Sequence, residues 1–97
     1  MKGAQSLPKR QPPTRVTPAE LRRRRIELIS HRYYFYQYLY SPALSYDAIM
    51  LRLESEFHSK AEFMFRFVDA DIVTRLRNDN TQNGALQSLF PHLNWQI

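Results

Sequence analysis

The sequence predicts an all-α domain: a helical hairpin, about 18–40 and 46–58, crossed by one or two further short helices. Three observations predict it. A complete helix start stands at Thr17-Pro18-Ala19-Glu20. Apolar residues on both sides of a Ser-Pro break recur at helical, not alternating, spacing. The connection Ser41 to Ser45 has the length that joins antiparallel helices.

At the first start, Thr17 supplies a capping hydroxyl and Pro18 a φ already helical, while Glu20 stands where a capping box needs its carboxylate. Val16 and Leu21 are placed to staple the turn, and Leu21, Leu28, Phe35 and Leu39, with Ile29 and Tyr36 beside them, form one apolar stripe. Ser41 precedes Pro42, which disfavours helical geometry there and ends the helix near Tyr40. Ser45 caps the second helix, Asp47 sits in its first turn near the positive end of the dipole, and Tyr46, Ile49, Met50, Leu53 and Phe57 give it one apolar face. A second capping-box pattern at Ser59-Lys60-Ala61-Glu62 predicts a break and a new helix carrying Phe63, Met64, Phe67 and Val68. Helix is preferred to strand over Phe63–Phe67 because a lone strand has no partner. Asp69 caps a further short helix with Ile72, Val73 and Leu76 inward, and residues 78–84 read as an exposed polar loop. The tail, with Leu86, Leu89, Phe90, Leu93, Trp95 and Ile97, is too apolar to stay in water, so it returns to the core as a short helix or docks on another chain.

The expected organisation is a disordered basic arm over residues 1–16, marked by Pro8, Pro12 and Pro13, then a single small helical domain over 17–97. A chain of 97 residues excludes a large multidomain enzyme, and the absence of cysteine excludes disulfides and thiolate metal sites. No apolar run approaches the roughly 20 residues that span a bilayer, and Met1–Val16 lacks the apolar segment of a secretory signal, so a cytoplasmic protein with no membrane partner is expected. The net charge of +5 is unevenly spread: residues 1–32 hold nine Lys and Arg against Glu20 and Glu27, whereas the remainder holds five basic residues against seven acidic ones. Arg22, Arg23, Arg24 and Arg25 with the arm are therefore candidate anion contacts, and nucleic-acid binding is one functional alternative.

All six tyrosines lie between Tyr33 and Tyr46. Tyr33, Tyr34, Tyr36, Tyr38 and Tyr40 point in several directions around one helix, more than a narrow stripe buries, so exposed tyrosines suited to a base or a protein surface are expected. Tyr34-Phe35-Tyr36, Leu39, Pro42, Leu44-Ser45 and Tyr46-Asp47, followed by Met50 and Leu53, resemble the N-terminal helical (Ia) domain of bacterial NAD-dependent DNA ligases. The resemblance covers about residues 20–56. It implies a free-standing, ligase-related small protein of the kind found in phages and bacteria. In that family the domain closes over the nicotinamide mononucleotide half of NAD. Carried over by position, the likeness implies nucleotide contacts at Tyr36, Tyr46 and Asp47, with NAD or the mononucleotide as ligand. Gln37 stands where the ligases usually have His or Tyr, and their Asp-Ala-Glu before the Tyr-Asp pair is missing. Read without the resemblance, Tyr46-Asp47 simply opens a helix.

No Lys-x-Asp-Gly nucleophile occurs, so this chain does not ligate. His31, His58 and His92 are too widely spaced for a helical metal pair, Asp69 and Asp71 read as cap and surface residues, and no nucleophile elbow or phosphate loop is present. The expectation is a non-catalytic binding module with no required cofactor, no catalytic residue and no metal ligand. It would dock on a nucleotide-handling or DNA-processing partner, as a phage modulator of a host protein would.

Overall fold

The computed structural model of the protein describes residues 16–41 and 43–97. The arm expected at residues 1–16 lies, except for Val16, outside them. The described residues are all-α and contain no strand. Helix α1 spans Pro18–Tyr34 and continues as a π-helical segment, Phe35–Tyr40; α2 is Tyr46–Phe57. A short α3, Ala61–Met64, tightens into a 3-10 turn over Phe65–Phe67, and α4 (Ala70–Asn78) and α5 (Asn83–Leu89) follow. Three short helical pieces thus follow the hairpin, and α5 is the short helix through which the apolar tail returns to the core.

The caps form where local chemistry places them. Thr17 Oγ1 accepts from the Glu20 amide at 3.1 Å, Ser45 Oγ from the Ala48 amide at 3.1 Å, and Asp69 Oδ1 from the Asp71 amide at 2.8 Å. Three local expectations fail. The Glu20 carboxylate turns to Arg23 and Arg24, with no hydrogen bond back to the Thr17 amide among the described residues, so only the Thr17 half of that capping box forms. Leu21 is 54% exposed, so Val16 does not staple it into a core. At the start of α3 the cap is Lys60, with no side-chain hydrogen bond, so the Ser59–Glu62 capping box does not form. The helical backbone reaches Tyr40 as expected, but its last six residues wind as π-helix, the wider i→i+5 form. That winding brings the Phe35 and Tyr40 rings, five residues apart, to 5.7 Å. Extended Ser41 ends it.

Packing departs most from expectation in α1. A single stripe was predicted, yet Ile29, Ser30, His31 and Arg32 are consecutively buried, as are Tyr34, Phe35 and Tyr36. Consecutive burial on a helix requires neighbours on every side. α4 packs along α1 most extensively, α2 and the 3-10 turn cover other sides, and the tail lays Phe90 against His31 and Trp95 against Phe35. The expected inward faces of the shorter helices are realised by Ile49, Met50 and Leu53 on α2 and by Ile72, Val73 and Leu76 on α4, whereas Tyr46, expected on the same face of α2, is 53% exposed and Phe57 is half-buried. The polar loop is shorter than 78–84: Asn78 closes α4 and Asn83-Gly84 open α5. The reversal runs through Asn80 at φ 52°, a left-handed conformation that asparagine tolerates, and the Thr81 amide reaches back to the Leu76 carbonyl.

One buried hydroxyl fixes the corner between the 3-10 turn and α4. Ser30 Oγ donates to the Phe67 carbonyl at 3.0 Å and accepts from the Asp69 amide at 2.8 Å. Ser30→Ala removes the hydroxyl partner of two backbone groups, the Phe67 carbonyl and the Asp69 amide. It is expected to cost about 1–3 kcal/mol, read as a lower urea midpoint. An unchanged midpoint would show that the corner holds without this link.

Candidate functional site

Burial on all sides of α1 divides the tyrosines. Tyr34 and Tyr36 are buried, Tyr33 and Tyr40 half-buried, and only Tyr38 and Tyr46 are exposed. The overflow anticipated from the sequence is thus reduced to two rings, because tail and loop supply contacts that no single stripe offers. The Tyr34 hydroxyl, for instance, donates to the Thr81 carbonyl at 2.6 Å.

Two open grooves meet at the exposed rings. The first, of about 450 Å³, lies between the end of α1 with its π segment and the start of α4; Tyr33, Gln37, Tyr38, Tyr46, Phe65 and Val73 are among its lining residues. The second, of about 540 Å³, is lined by Tyr46, Asp47, Met50, Leu51, Glu62 and Phe65. Tyr46, first residue of α2, and Phe65, in the 3-10 turn, belong to both. Tyr33 and Tyr46 meet edge to face at 6.2 Å, which sets the Tyr46 ring between the grooves.

The structure therefore brings together Tyr46 and Asp47 of the sequence-assigned nucleotide contacts, and separates Tyr36 from them. The Tyr36 ring packs against Phe35 and Tyr40, and its hydroxyl donates to Glu56 Oε2 and receives Arg32 Nη2 at 3.2 Å. Gln37, the position of departure from the ligase pattern, lines the first groove. Phe65, Leu51 and Glu62 had no place in the sequence reading of the site. Phe63-Met64-Phe65-Arg66-Phe67 held the signal: three consecutive apolar residues cannot all be buried on one short helix, and Met64 takes the inward position, leaving Phe63 and Phe65 exposed.

Sequence reading also missed the polar cluster behind Tyr36. Arg32 Nε and Nη2 donate to the two Glu56 oxygens at 2.8 and 3.0 Å, Arg32 Nη1 donates to the Asn94 carbonyl, and the guanidinium stands 4.8 to 5.0 Å from the rings of Trp95, Tyr36 and Phe35. Four of the five guanidinium N–H donors have partners within the chain, so the cluster binds the fold together. Burial, and then the Glu56 carboxylate accepting its hydroxyl, push the Tyr36 phenol up to about 12. Burial raises Tyr33 and Tyr34 in the same direction. A folded pKa above the unfolded value of 10.0 stabilises the fold below that pH, and the gain is lost as pH rises through about 12. Denaturation midpoints are accordingly expected to hold up to pH ~10 and then fall, with a shallower fall in Tyr36→Phe. An equal slope in the variant would assign the alkaline loss to other groups.

The four arginines of α1 diverge. Arg23 and Arg24 turn to Glu20, at 2.9 and 3.4 Å, and the hydrogen bond from Arg23 is the main cause holding that carboxyl below its usual range. Arg22 and Arg25, one turn apart, lie over the Phe67 ring at 5.4 and 5.1 Å. Among the described residues no helix is long and apolar enough to cross a membrane, and no group of three or more His, Cys, Asp or Glu is placed to hold a metal ion. Comparisons of the chain with protein-family models, with curated proteins and with solved structures find no match.

Proposed function

We propose that this chain is a non-catalytic binding module that docks on a larger partner, a nucleotide-handling or DNA-processing protein, through the exposed part of its tyrosine cluster. The observation that carries the reading is the Tyr46 ring, 53% exposed and shared by two open grooves, on a protein whose other tyrosines are mostly withdrawn. Exposed aromatic rings beside apolar grooves are the usual anchors of recognition surfaces. The resemblance of residues 20–56 to the helical domain of NAD-dependent DNA ligases supports the same surface, since Tyr46 and Asp47 line one groove together. Tyr36, buried and hydrogen-bonded to Glu56 and Arg32, lines neither groove and is left out of the proposed contact.

The test is a proton–nitrogen NMR titration of the full chain with nicotinamide mononucleotide, NAD and a short DNA duplex, beside partner capture with wild type, Tyr46→Ala and Asp47→Ala. Both residues are exposed, so helicity is expected to be unchanged while affinity falls about tenfold for Tyr46→Ala. Variants that bind as before would remove the groove from the interface. Binding to the duplex that weakens steeply with salt, with a slope reduced when Arg22 to Arg25 become Gln, would replace this reading with nucleic-acid recognition.

A further inference from the structure

Exposed aromatic rings on this protein are nearly all occupied by its own arginines. Arg77 lies over Tyr38 at 5.1 Å, and Arg66 over Phe63 at 5.4 Å and Phe65 at 6.0 Å. Tyr46 is the exception: among the described residues no arginine stands over its ring, which meets only the edge of Tyr33. The second groove places two carboxylates beside that ring, Asp47 from the first turn of α2 and Glu62 from α3, and neither has an ion-pair partner among the described residues. Its floor is apolar, Met50 and Leu51, and none of the described residues lining it is basic.

We infer that this groove receives a lysine or arginine side chain presented by a segment of the partner protein, the aliphatic stem on Met50 and Leu51 and the cation against Tyr46 between Asp47 and Glu62. The inference rests on the docking role proposed above and specifies its chemistry. A ring face attracts a cation through its quadrupole, two unpaired carboxylates add charge complementarity, and an apolar floor suits the methylene stem that such side chains lay down. A phosphate-bearing ligand finds the opposite: two like charges and no basic group among the described residues of the lining.

The experiment titrates the isotope-labelled full chain with a capped Gly-Leu-Arg-Leu-Gly peptide, with its citrulline counterpart, which keeps shape and loses charge, and with nicotinamide mononucleotide. The arginine peptide is expected to shift Tyr46, Leu51 and Phe65 and to bind about fivefold more tightly than the citrulline one. An Asp47→Asn/Glu62→Gln double variant, changed only at surface positions, should erase that difference while keeping the spectrum of the folded chain. Equal binding of both peptides would overturn the cation and leave apolar docking intact. A response to the mononucleotide alone would assign the groove to a nucleotide. Concentration-dependent groove shifts in the free chain, abolished by Lys9→Gln/Arg10→Gln/Arg15→Gln, would make the occupant a second copy. No groove response to any probe, together with partner capture indifferent to Tyr46→Ala, would remove the docking role as well.

Discussion

Trp95→Ala is expected to lower stability by about 3–5 kcal/mol, enough to leave much of the chain without fixed tertiary packing. Trp95 is fully buried, although only Gln96 and Ile97 follow it in the sequence. Its ring stands 5.4 Å from Phe35 and 6.0 Å from Phe90, the Arg32 guanidinium covers it at 4.8 Å, and Nε1 donates to the Phe90 carbonyl at 2.8 Å. Truncation empties a cavity that rigid aromatic neighbours cannot close and leaves that carbonyl with only the longer hydrogen bond from the Leu93 amide, at 3.3 Å. A chain of this size has only about 5–10 kcal/mol in total, so the loss is a large share of it. Trp95→Phe keeps most of the apolar volume and removes the donor, and should cost about 1–2 kcal/mol. Urea denaturation followed by far-ultraviolet circular dichroism measures both. A Trp95→Ala midpoint close to that of wild type would show that the tail docks on the core without supporting it.

What was legible in the sequence and what was not divides by distance along the chain. Thr17, Ser45 and Asp69 cap because their partners lie two or three residues away, so residue type and position suffice. The inward positions of α4, and Ile49, Met50 and Leu53 of α2, were legible for the same reason, but the exposure of Tyr46 on the expected α2 face was not. The enclosure of α1 was not, because it depends on Ser30 meeting Phe67 and Asp69, and on Arg32 meeting Glu56 and Asn94, the last 62 residues away. An arginine of the basic N-terminal third reads as solvated surface, yet Arg32 is buried while Arg22 to Arg25 are exposed. The candidate site shows the same division. Tyr46 and Asp47 could be singled out as neighbours in sequence, whereas Phe65, Glu62 and the withdrawal of Tyr36 follow from how α3 and the 3-10 turn settle against α2 and α1.

Removing one partner of the Arg32–Glu56 pair is expected to cost more than removing both. The two side chains are unequally buried, Arg32 at 7% exposure and Glu56 at 24%. Glu56→Ala strands the guanidinium among the Trp95, Tyr36 and Phe35 rings with the Asn94 carbonyl as its main remaining acceptor, at a cost of about 3–5 kcal/mol. Arg32→Met leaves a carboxylate that keeps the Tyr36 hydroxyl and reaches water, so its cost is smaller, about 1–3 kcal/mol. Arg32→Met/Glu56→Leu removes both charges and fills their space with apolar groups, and it should be more stable than Glu56→Ala alone. The expected sign of the coupling is therefore strongly non-additive, and a urea-denaturation double-mutant cycle measures it. Additive costs would mean that the pair is solvated in spite of its burial. The double variant also separates stability from tail attachment: Asn94 loses its hydrogen bond from Arg32 while Trp95 keeps its aromatic neighbours. Near-ultraviolet circular dichroism of the single tryptophan should remain native-like if ring packing, more than the Asn94 contact, holds the tail against α1.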